Sequence, residues 1–335
     1  MKIYPRIALG LGATALLLAI SACSGGTSTP STDSGAPAAP AKITLGLVQG
    51  QDFIHAMPAR VAEAQGFFTK AGLDVNIVAF TSGSDLTKAM AGGSVNVGAA
   101  TGLDAVSAAA HDVNLQAFYG VEGASPMALI VPATSTIQTF ADLKGKKVGI
   151  SAFGSMTDYT LRAALNKVNV PLSEVKEIPL GAPASTMAGM ANGDVDGFIL
   201  PVNFAFTVEA KGSGKLAQPV SDVLGSNDQF AILMAQDTYI TANTAALKKL
   251  AGAYTEAINW MKANKDATIK LAMAKLGMTD VIAAKTYSAL VDTFTPDGTL
   301  NASGLESYAK ALPELKIATA VPKSSSYMTN SVLGK

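Results

Sequence analysis

One phrase occurs twice in this sequence, at 89–97 and again at 189–197, so its two copies begin 100 positions apart. In each copy a run of small residues with helical character ends on a glycine, and a short apolar stretch follows. Glycine readily adopts the left-handed backbone conformation that ends many helices. The phrase therefore predicts the same unit of helix, glycine cap and strand at both places.

The segments that precede the two copies also match, since each reads as strand, helix and strand. The ranges are 43–48, 61–70 and 73–80 before the first copy, and 147–151, 158–167 and 175–180 before the second. The sequence therefore predicts two βαβαβ units, which indicates an α/β fold of two lobes that face each other across a cleft. The alternative is one α/β protein that simply reuses a helix–glycine–strand turn, but the matching flanks favour two lobes.

The N-terminal segment has the pattern of an export signal. Lys2 and Arg6 precede an apolar run at 7–20, and small residues then lead to Cys23. This pattern resembles a bacterial lipoprotein signal, which implies removal of residues 1–22, a diacylglycerol thioether on Cys23 and acylation of the new amine. The alternative is an uncleaved anchor, but a helix of this run rises only about 21 Å, short of a hydrocarbon core about 30 Å thick.

Two further N-terminal stretches affect the functional interpretation. Residues 10–15 fit the dinucleotide fingerprint G-x-G-x-x-A, but they lie inside the predicted signal, so no dinucleotide or other cofactor is expected. Residues 24–41 are nearly all Ser, Thr, Gly, Pro and Ala, a composition that cannot bury a core. We therefore predict a flexible tether over 23–41, with a span on the order of 20 to 25 Å by random-coil scaling.

Composition limits the chemistry of the remaining chain. Cys23 is the only cysteine, so after lipidation no disulfide, zinc cluster or thiol nucleophile is available. Without Lys2 and Arg6 the 25 basic residues fall to 23, against 25 acidic ones, and this balance does not attract nucleic acid. Hydrophobic residues make up 49% of the sequence, which is enough for two cores, and the lipid is the only membrane attachment expected.

Three motifs carry a resemblance to a known family. They are Val61-Ala62-Glu63-Ala64-Gln65-Gly66-Phe67-Phe68, Gly72-Leu73-Asp74-Val75 and Asp142-Leu143-Lys144-Gly145-Lys146-Lys147-Val148-Gly149. In order and spacing they resemble the substrate-binding proteins of nitrate, sulfonate, taurine and thiamine-pyrimidine ABC importers, over most of residues 42–330. The resemblance implies a monomeric protein that delivers a small molecule to an ABC permease and its ATPase subunits.

The resemblance also implies the type II periplasmic binding protein fold, in which the chain crosses twice between the lobes. We place the crossings near 119–131 and 227–234, because both are extended apolar segments flanked by Gly, Ser or Asn. Lobe 1 then comprises 42–122 plus 229–335, and lobe 2 comprises 123–228.

The C-terminal stretch is predicted to be helical and to belong to lobe 1. Its apolar residues keep the spacing of one helix face: Leu247, Leu250, Ala251, Tyr254, Ile258 and Met261. The charged residues Lys248, Lys249 and Glu256 fall on other faces, so the apolar stripe predicts core rather than a binding surface.

Function depends on the residues at the carboxyl ends of the strands, where ligands of open α/β sheets bind. In lobe 1, the candidates that can hydrogen-bond to a ligand or stack on it are Gln49, Phe53, His55, Ser82, Ser84 and Thr101. In lobe 2 and the first crossing they are Tyr119, Phe153, Ser155, Thr157, Pro201 and Asn203. The two lobes are therefore expected to present similar chemistry.

Ser155 and Thr157 are the leading candidates, because they begin the helix predicted over 158–167. A helix N-terminus carries partial positive charge and unpaired N–H donors, which suit a sulfonate, carboxylate or phosphate. In the family that the chain resembles, this loop holds the anionic group of the ligand. The alternative is that either hydroxyl only caps its own helix.

Charged side chains are scarce in the candidate loops, and this narrows the ligand. The three arginines are Arg6, Arg60 and Arg162, and the last two lie in predicted helices where exposure to solvent is expected. A doubly charged anion is therefore not favoured. The joint placement of five aromatic residues favours a flat or apolar ligand with one weakly anionic or hydrogen-bonding end: Phe53, Tyr119, Phe153, Phe204 and Phe206.

The histidines and acidic residues leave other roles open. His55 and His111 have no Glu or Cys at ligand spacing, so a metal site is not expected. His55 can donate a hydrogen bond to a ligand or face solvent. Four carboxylates can approach the cleft and bind a ligand amine, or remain solvated or capping groups: Asp52, Asp104, Glu122 and Asp158.

The function that fits these patterns is capture by hinge closure, in which a ligand contacts lobe 1 and lobe 2 rotates onto it. An enzyme is the rival class, because the thiamine-pyrimidine branch of the family includes biosynthetic activity. The sequence, however, lacks the cysteines and histidines of that branch, and it contains no G-x-S-x-G, no H-E-x-x-H and no complete phosphate loop. A lipoprotein that senses a ligand for a receptor is the third possibility. The sequence favours a binding protein that is not an enzyme.

Overall fold

Ten strands form two sheets in the computed structural model, which describes residues 39–48, 50 and 52–334. The predicted signal, the tether up to residue 38, Cys23 and Gln49 lie outside the described residues. In chain order the strands are β1 Ala41–Val48, β2 Leu73–Phe80, β3 Val97–Thr101, β4 Leu115–Glu122, β5 Met127–Pro132, β6 Lys147–Ile150, β7 Lys176–Pro179, β8 Gly197–Pro201, β9 Gly214–Pro219 and β10 Ala231–Gln236.

The two sheets share one topology. Sheet 1 has the order β2-β1-β3-β10-β4, and sheet 2 has the order β7-β6-β8-β5-β9. In both sheets the first three strands are parallel, and the fourth runs antiparallel to its neighbours. The prediction of two βαβαβ units that form two lobes is confirmed, and we call lobe 1 and lobe 2 the parts built on sheet 1 and sheet 2.

The chain passes twice between the sheets. It leaves sheet 1 after Glu122 and enters sheet 2 at Met127, and it returns between Leu224 and Ala231. The first passage falls within the predicted segment 119–131, and the second overlaps the predicted segment 227–234 but begins before it. Two covalent connections that lie side by side allow the lobes to rotate as bodies about them.

Thirteen α-helices flank the two sheets within the described residues. They are α1 Phe53–Ala64, α2 Phe67–Lys70, α3 Gly83–Ala91, α4 Gly102–Ala110, α5 Met156–Lys167, α6 Pro183–Ala191, α7 Val202–Ala210, α8 Ser221–Leu224, α9 Asp237–Ala263, α10 Lys265–Leu276, α11 Asp280–Leu290, α12 Ala302–Glu314 and α13 Ser324–Tyr327. Short 3-10 turns occupy Phe140–Leu143, Leu172–Glu174 and Val291–Thr293.

The helix predicted over 61–70 differs from the structure at its start and in its interior. The Asp52 side chain accepts a hydrogen bond from the Ile54 N–H and caps α1, which therefore starts at Phe53 despite Pro58 in its interior. Gly66 then adopts a left-handed conformation, with φ of 71°, and separates α1 from α2. As a result His55, which the sequence places in a loop, lies in the first turn of a helix.

The repeated phrase forms the same hydrogen-bonded helix end in both lobes. Gly93 and Gly193 have φ of 77° and 81°, the left-handed conformation that the sequence predicts for the glycine cap. The N–H of each glycine donates to the carbonyl three residues back, and the next N–H donates to the carbonyl five residues back. This is the Schellman pattern, which satisfies two carbonyls at the end of a helix and turns the chain toward β3 or β8.

Sheet 2 is buried on both faces, as the alternation along β5 shows. Ala128 and Ile130 pack with Phe198 and Leu200 of β8 on one face, in a cluster completed by residues of α6 and α7. Met127, Leu129 and Val131 point to the other face and join the main core. Because both faces are covered, the sheet edges and strand ends are the parts of the lobe available for binding.

The C-terminal helices complete lobe 1. The predicted apolar stripe lies on α9, and all of its members are buried: Leu247, Leu250, Ala251, Tyr254, Ile258 and Met261. Tyr254 packs against Phe68 and Tyr119, with ring centroids 6.3 and 6.1 Å away, and so joins α9 to α2 and β4. Within the described residues no helix has the length and apolar character needed to cross a membrane.

Replacing Gly193 by alanine tests the helix cap. A Cβ at Gly193 meets no atom within 4 Å, so the cost comes from the left-handed backbone alone and should be about 1 to 2 kcal/mol. Gly252 is the matched control, because its Cβ would also meet nothing, yet it lies inside α9 with an ordinary helical backbone. We expect Gly193→Ala to lower the urea midpoint. We expect Gly252→Ala to raise the midpoint, because it should increase the free energy of unfolding by about 0.5 to 1 kcal/mol. Equal midpoints would contradict the assignment of the cap.

Candidate functional site

A narrow cavity of about 20 Å³ lies where strand ends of the two sheets converge. Lobe 1 contributes residues that follow β1, β2 and β3, together with Phe230, which precedes β10; lobe 2 contributes residues around β5, β6 and β8. The lining is Val48, His55, Ser82, Gly83, Thr101, Asp104, Met127, Ser151, Ser155, Met156, Thr157, Pro201 and Phe230. We call this space the cleft cavity.

His55 is held in place by a buried carboxylate. Its Nδ1 lies 2.5 Å from Asp52 Oδ2, and its ring lies against Phe230 with centroids 5.6 Å apart. Asp52 is the N-cap of α1, so a single carboxylate both starts the helix and orients the imidazole. Since Nδ1 is engaged, Nε2 is the nitrogen left for a ligand, and it has no hydrogen-bond partner among the described residues.

Thr101 and Asp104 form a capping box at the start of α4. The N–H and the hydroxyl of Thr101 donate to Asp104 Oδ2 over 2.8 and 2.7 Å, and the Asp104 N–H donates back to the Thr101 hydroxyl. Burial raises the pKa of Asp104 above its ordinary value, and the Thr101 hydrogen bonds act in the opposite direction. The sequence left the role of Asp104 open, and the structure places its carboxyl on the cavity wall.

Lobe 2 contributes a cluster of three hydroxyls at the start of α5. Ser151 donates to Ser155 over 3.0 Å, and Thr157 lies 3.0 Å from Ser151 and 2.8 Å from Ser155. Ser155 is the N-cap of α5, yet its side chain accepts no capping hydrogen bond. The alternative that Ser155 only caps its helix is therefore not what this geometry shows. Ser151, which the sequence analysis missed, belongs to the cluster because β6 ends one residue before it.

The two lobes differ in chemistry, which corrects the expectation that they are similar. Lobe 1 presents an imidazole and a carboxyl group beside the hydroxyls of Ser82 and Thr101, whereas the polar side chains of lobe 2 at the cavity are all hydroxyls. The repeat sets the backbone path of both lobes, but the residues after each strand differ. Asp104 follows β3, while the equivalent helix in lobe 2, α7, starts with Val202, Asn203 and Phe204.

A larger cavity of about 490 Å³ opens outward from the cleft and shares Asp104 with it. Its lining includes Ser84 and Lys88 from lobe 1 and Phe153, Asp158 and Arg162 from lobe 2. We call it the mouth. Phe153 is 56% exposed there, so it is available to a ligand or partner that enters.

Arg162 joins the two lobes at the mouth. Its side chain is 15% exposed, which corrects the expectation that it faces solvent. Nε lies 2.5 Å from Asp158 Oδ1, Nη2 lies 3.1 Å from Glu177, and Nη1 donates to the Leu315 carbonyl over 3.2 Å. Leu315 is the C-cap of α12, which packs against α4 of lobe 1, so this last hydrogen bond runs between the lobes.

An aromatic pair lies beside this hydrogen bond. Tyr159 of α5 meets Tyr308 of α12 edge to face, with ring centroids 5.2 Å apart and an interplanar angle of 86°. Such aromatic pairs stabilise a structure by about 0.5 to 1.5 kcal/mol in addition to the effect of burying their apolar surface. Together with the Arg162 contact, the pair holds α5 against α12 when the lobes are together, and we call these four residues, Tyr159, Arg162, Tyr308 and Leu315, the lobe latch.

The structure brings six of the twelve predicted ligand residues to the cleft cavity: His55, Ser82, Thr101, Ser155, Thr157 and Pro201. Ser84 and Phe153 line the mouth. Phe53 and Tyr119 instead lie in the core, since Phe53 packs on Phe294 and Tyr119 hydrogen-bonds to Thr255. Asn203 is buried on α7, with no described partner for its Oδ1, and Gln49 lies outside the described residues.

The aromatic residues do not form the flat binding surface that the sequence suggests. Phe53, Tyr119 and Phe204 are buried in the cores, and Phe206 lies under Lys285, with Nζ 5.6 Å from the ring centroid. Of the five, Phe153 alone lines the mouth, and none lines the cleft cavity. Phe230, which sequence reasoning placed only in a crossing, supplies the aromatic face there.

Two further acids lie at the crossings, Glu122 buried and Asp228 half-buried. Glu122 accepts a hydrogen bond from Thr293, and burial raises its pKa well above the ordinary value. Burial also raises the pKa of Asp228 to about 6, against the opposing effect of Tyr308. Neither acid lines the cleft cavity. The described residues contain no group of three or more His, Cys, Asp or Glu that could hold a metal ion.

A fold of two such sheets, joined by two crossings around a polar cleft, is that of the periplasmic binding proteins. The structure is similar to the alkanesulfonate-binding protein SsuA of Xanthomonas axonopodis pv. citri, with a TM-score of 0.72 at 20% identity over 87% of this chain and all of that one. It is also similar to the nitrate-binding protein NrtA of Synechocystis, with a TM-score of 0.73 at 14% identity over 88% and 87%. The predicted fold is confirmed. The chain belongs to the NMT1/THI5-like family, whose model matches residues 54–268.

The relatives found by sequence include proteins named as binding proteins and one named as an enzyme. A protein of Brucella abortus named as a binding protein is 26% identical over 63% of this chain, and the chain spans 65% of its length. The taurine-binding periplasmic protein of Escherichia coli is 33% identical over 42% of this chain and 44% of its own. A pyrimidine phosphate synthase of Schizosaccharomyces pombe is 27% identical over 47% of this chain and 44% of its own.

Replacing Arg162 by lysine tests the lobe latch. Lysine keeps the charge beside Asp158 and Glu177 but cannot also present the planar fork that reaches the Leu315 carbonyl. With spin labels on cysteines at Lys88 and Phe153, on opposite lobes at the mouth, we expect the distance distribution of Arg162→Lys to shift to longer values. Arg60→Lys is the control, because Arg60 pairs with Glu63 within α1. An unchanged distribution would show that the latch does not hold the lobes together.

Proposed function

We propose that this chain is the extracytoplasmic binding component of an ABC importer, which captures a small organic ligand between its lobes and delivers it to a permease. The observation that carries the proposal is the cleft cavity, where polar atoms of both lobes converge and His55 Nε2 has no described partner. The names of the relatives support a binding role, and those of the solved structures support sulfonates or related small molecules as the class to screen first.

The proposed mechanism is capture by rotation about the two crossings. We propose lobe bounds of 42–122 plus 229–335 and 123–228, in line with the strands of each sheet. Ligand contacts made by both lobes exist only in the closed form, so they provide the free energy of closure. The lobe latch adds contacts that do not involve ligand, and these raise the closed population. If closed molecules made up about 1% of the unliganded protein, the apparent affinity for the ligand would be roughly a hundredfold weaker than the intrinsic affinity of the closed form.

The N-terminal pattern supports a lipid anchor at Cys23. We propose that the signal at 1–22 is removed, that the mature chain is acylated and that it faces the periplasm or the cell exterior as a monomer. The tether over 23–41 then keeps the binding lobes close to a membrane-embedded permease. High local concentration near the partner compensates for weak affinity between the two proteins.

Two other functions are alternatives to transport, and experiments can distinguish them from it. A sensor that reports its ligand to a receptor would use the same cleft, and uptake of labelled ligand in a deletion strain separates the two, because loss of a pure sensor leaves import intact. An enzyme of the synthase type is a weaker alternative, since the synthase relative is matched over less than half of its length.

Removing two hydroxyls of the lobe 2 cluster tests capture in the cleft. We expect Ser155→Ala with Thr157→Ala to weaken binding of the ligand that native mass spectrometry finds bound to the purified protein, by about tenfold or more. The control is Ser213→Ala, whose hydroxyl bonds to the Val208 carbonyl away from the cleft. Titration calorimetry gives the affinities. Equal affinity in the double variant would refute a role for this cluster in the site.

Mass spectrometry of the membrane-extracted protein tests the anchor. We expect a mature chain that starts at Cys23 and carries a diacylglycerol thioether and an acylated amine. Replacing Cys23 by alanine should block both modifications and cleavage by the lipoprotein peptidase. An N-terminus that retains Met1 in the wild-type protein would contradict the anchor but would leave the cleft proposal standing.

A further inference from the structure

We propose that Asp104 selects ligands that present a positively charged hydrogen-bond donor, such as an ammonium or amidinium group, next to the acceptor group bound by His55 and the lobe 2 hydroxyls. This inference rests on the proposed function and deepens it by naming the ligand chemistry. It predicts that the cleft discriminates against simple anions of the same size and shape.

The two oxygens of Asp104 have different surroundings. Oδ2 accepts both hydrogen bonds of Thr101 and is therefore committed to the capping box of α4. Oδ1 receives no hydrogen bond from the described residues, and Asp104 lines both the cleft cavity and the mouth. Because the capping box fixes the side chain, Oδ1 is held on the path of a ligand that enters the cleft.

Asp104 also occupies the place where lobe 1 would otherwise bind an anion. The first residue of α3 is Gly83, and a Cβ there would lie 1.9 Å from Asp104 Oδ1. The carboxyl thus sits against the N-terminus of α3, the end of a helix that attracts negative charge. The protein therefore places its own carboxyl group at this helix N-terminus.

The other walls of the cleft cavity favour an acceptor. His55 Nε2 is unpaired among the described residues, and Ser151, Ser155 and Thr157 surround the start of α5 on lobe 2. An acidic or carbonyl end of a ligand suits these groups, while Asp104 Oδ1 repels a second negative charge and attracts a cation. A ligand that carries both groups satisfies the site, and one that carries only the anion brings a second negative charge next to the buried Asp104.

Matched ligand pairs test this selection. Taurine with ethanesulfonate, and β-alanine with propionate, differ only in the ammonium group, and their affinities can be measured by titration calorimetry. We expect the wild-type protein to prefer the amine-bearing member of each pair that binds by about thirtyfold or more, the range for loss of one partner of a buried charge pair. In Asp104→Asn the capping box is retained, so the preference should vanish or reverse. Tighter binding of the simple anion by this variant is expected, because a negative charge has been removed.

Asp85→Asn is the matched control. Asp85 lies in the same first turn of α3, where it accepts hydrogen bonds from Thr81 and Ser82, but it lines neither the cleft cavity nor the mouth. It should leave the preference for amines unchanged. If Asp85→Asn abolishes the preference as fully as Asp104→Asn, the effect belongs to the charge of α3 and the assignment to Asp104 is overturned.

The remaining outcomes separate this inference from the proposed function. Equal binding of both members of a pair by the wild-type protein overturns the inference but leaves capture intact. If no member of the pairs binds, the chemistry of the co-purified ligand is the test. A co-purified ligand with a cationic hydrogen-bond donor supports the inference, and a ligand that lacks such a donor overturns the inference but not the proposed function. Absence of both binding and co-purified ligand would overturn the proposed function and the inference together.

Discussion

The insertion of β10 between β3 and β4 is the constraint on which the architecture depends. β10 pairs antiparallel with both neighbours, yet it comes from a part of the chain that follows all five strands of sheet 2. The chain must therefore leave sheet 1 after β4, build the whole of sheet 2 and return. Two crossings are the result, and rotation of the lobes about them is the motion that this connectivity permits.

The same reversal of strand direction completes the cleft. In each sheet the parallel strands end at the edge that faces the other lobe, and an antiparallel strand begins there. Phe230 therefore precedes β10, and Met127 starts β5, at the level where the polar residues after β1, β3 and β6 emerge. The antiparallel strands thus add the apolar side chains of Phe230 and Met127 to a wall whose polar groups follow parallel strands.

Helix caps decide the chemistry inside this frame. Asp52 starts α1 and orients His55, Thr101 and Asp104 start α4, and Ser155 starts α5 without using its hydroxyl for capping. Each cap places a polar group at a strand end because the helix begins there. The Arg162 contacts and the Tyr159–Tyr308 pair then connect the lobes outside the cleft cavity, so these contacts between the lobes and the lining of the cleft cavity involve different residues.

The sequence by itself determined the repeat of two βαβαβ units, the glycine caps, the apolar stripe of α9 and the candidates Ser155 and Thr157, because these depend on local backbone preference and on periodicity. Only the tertiary structure decided that Phe53 and Tyr119 are core, that Arg162 reaches the other lobe and that Asp104 faces the cavity. These outcomes depend on which elements pack together across large separations along the chain. A side chain at a strand end has the same local sequence signature whether it points into a cleft or into a core, and packing alone distinguishes the two.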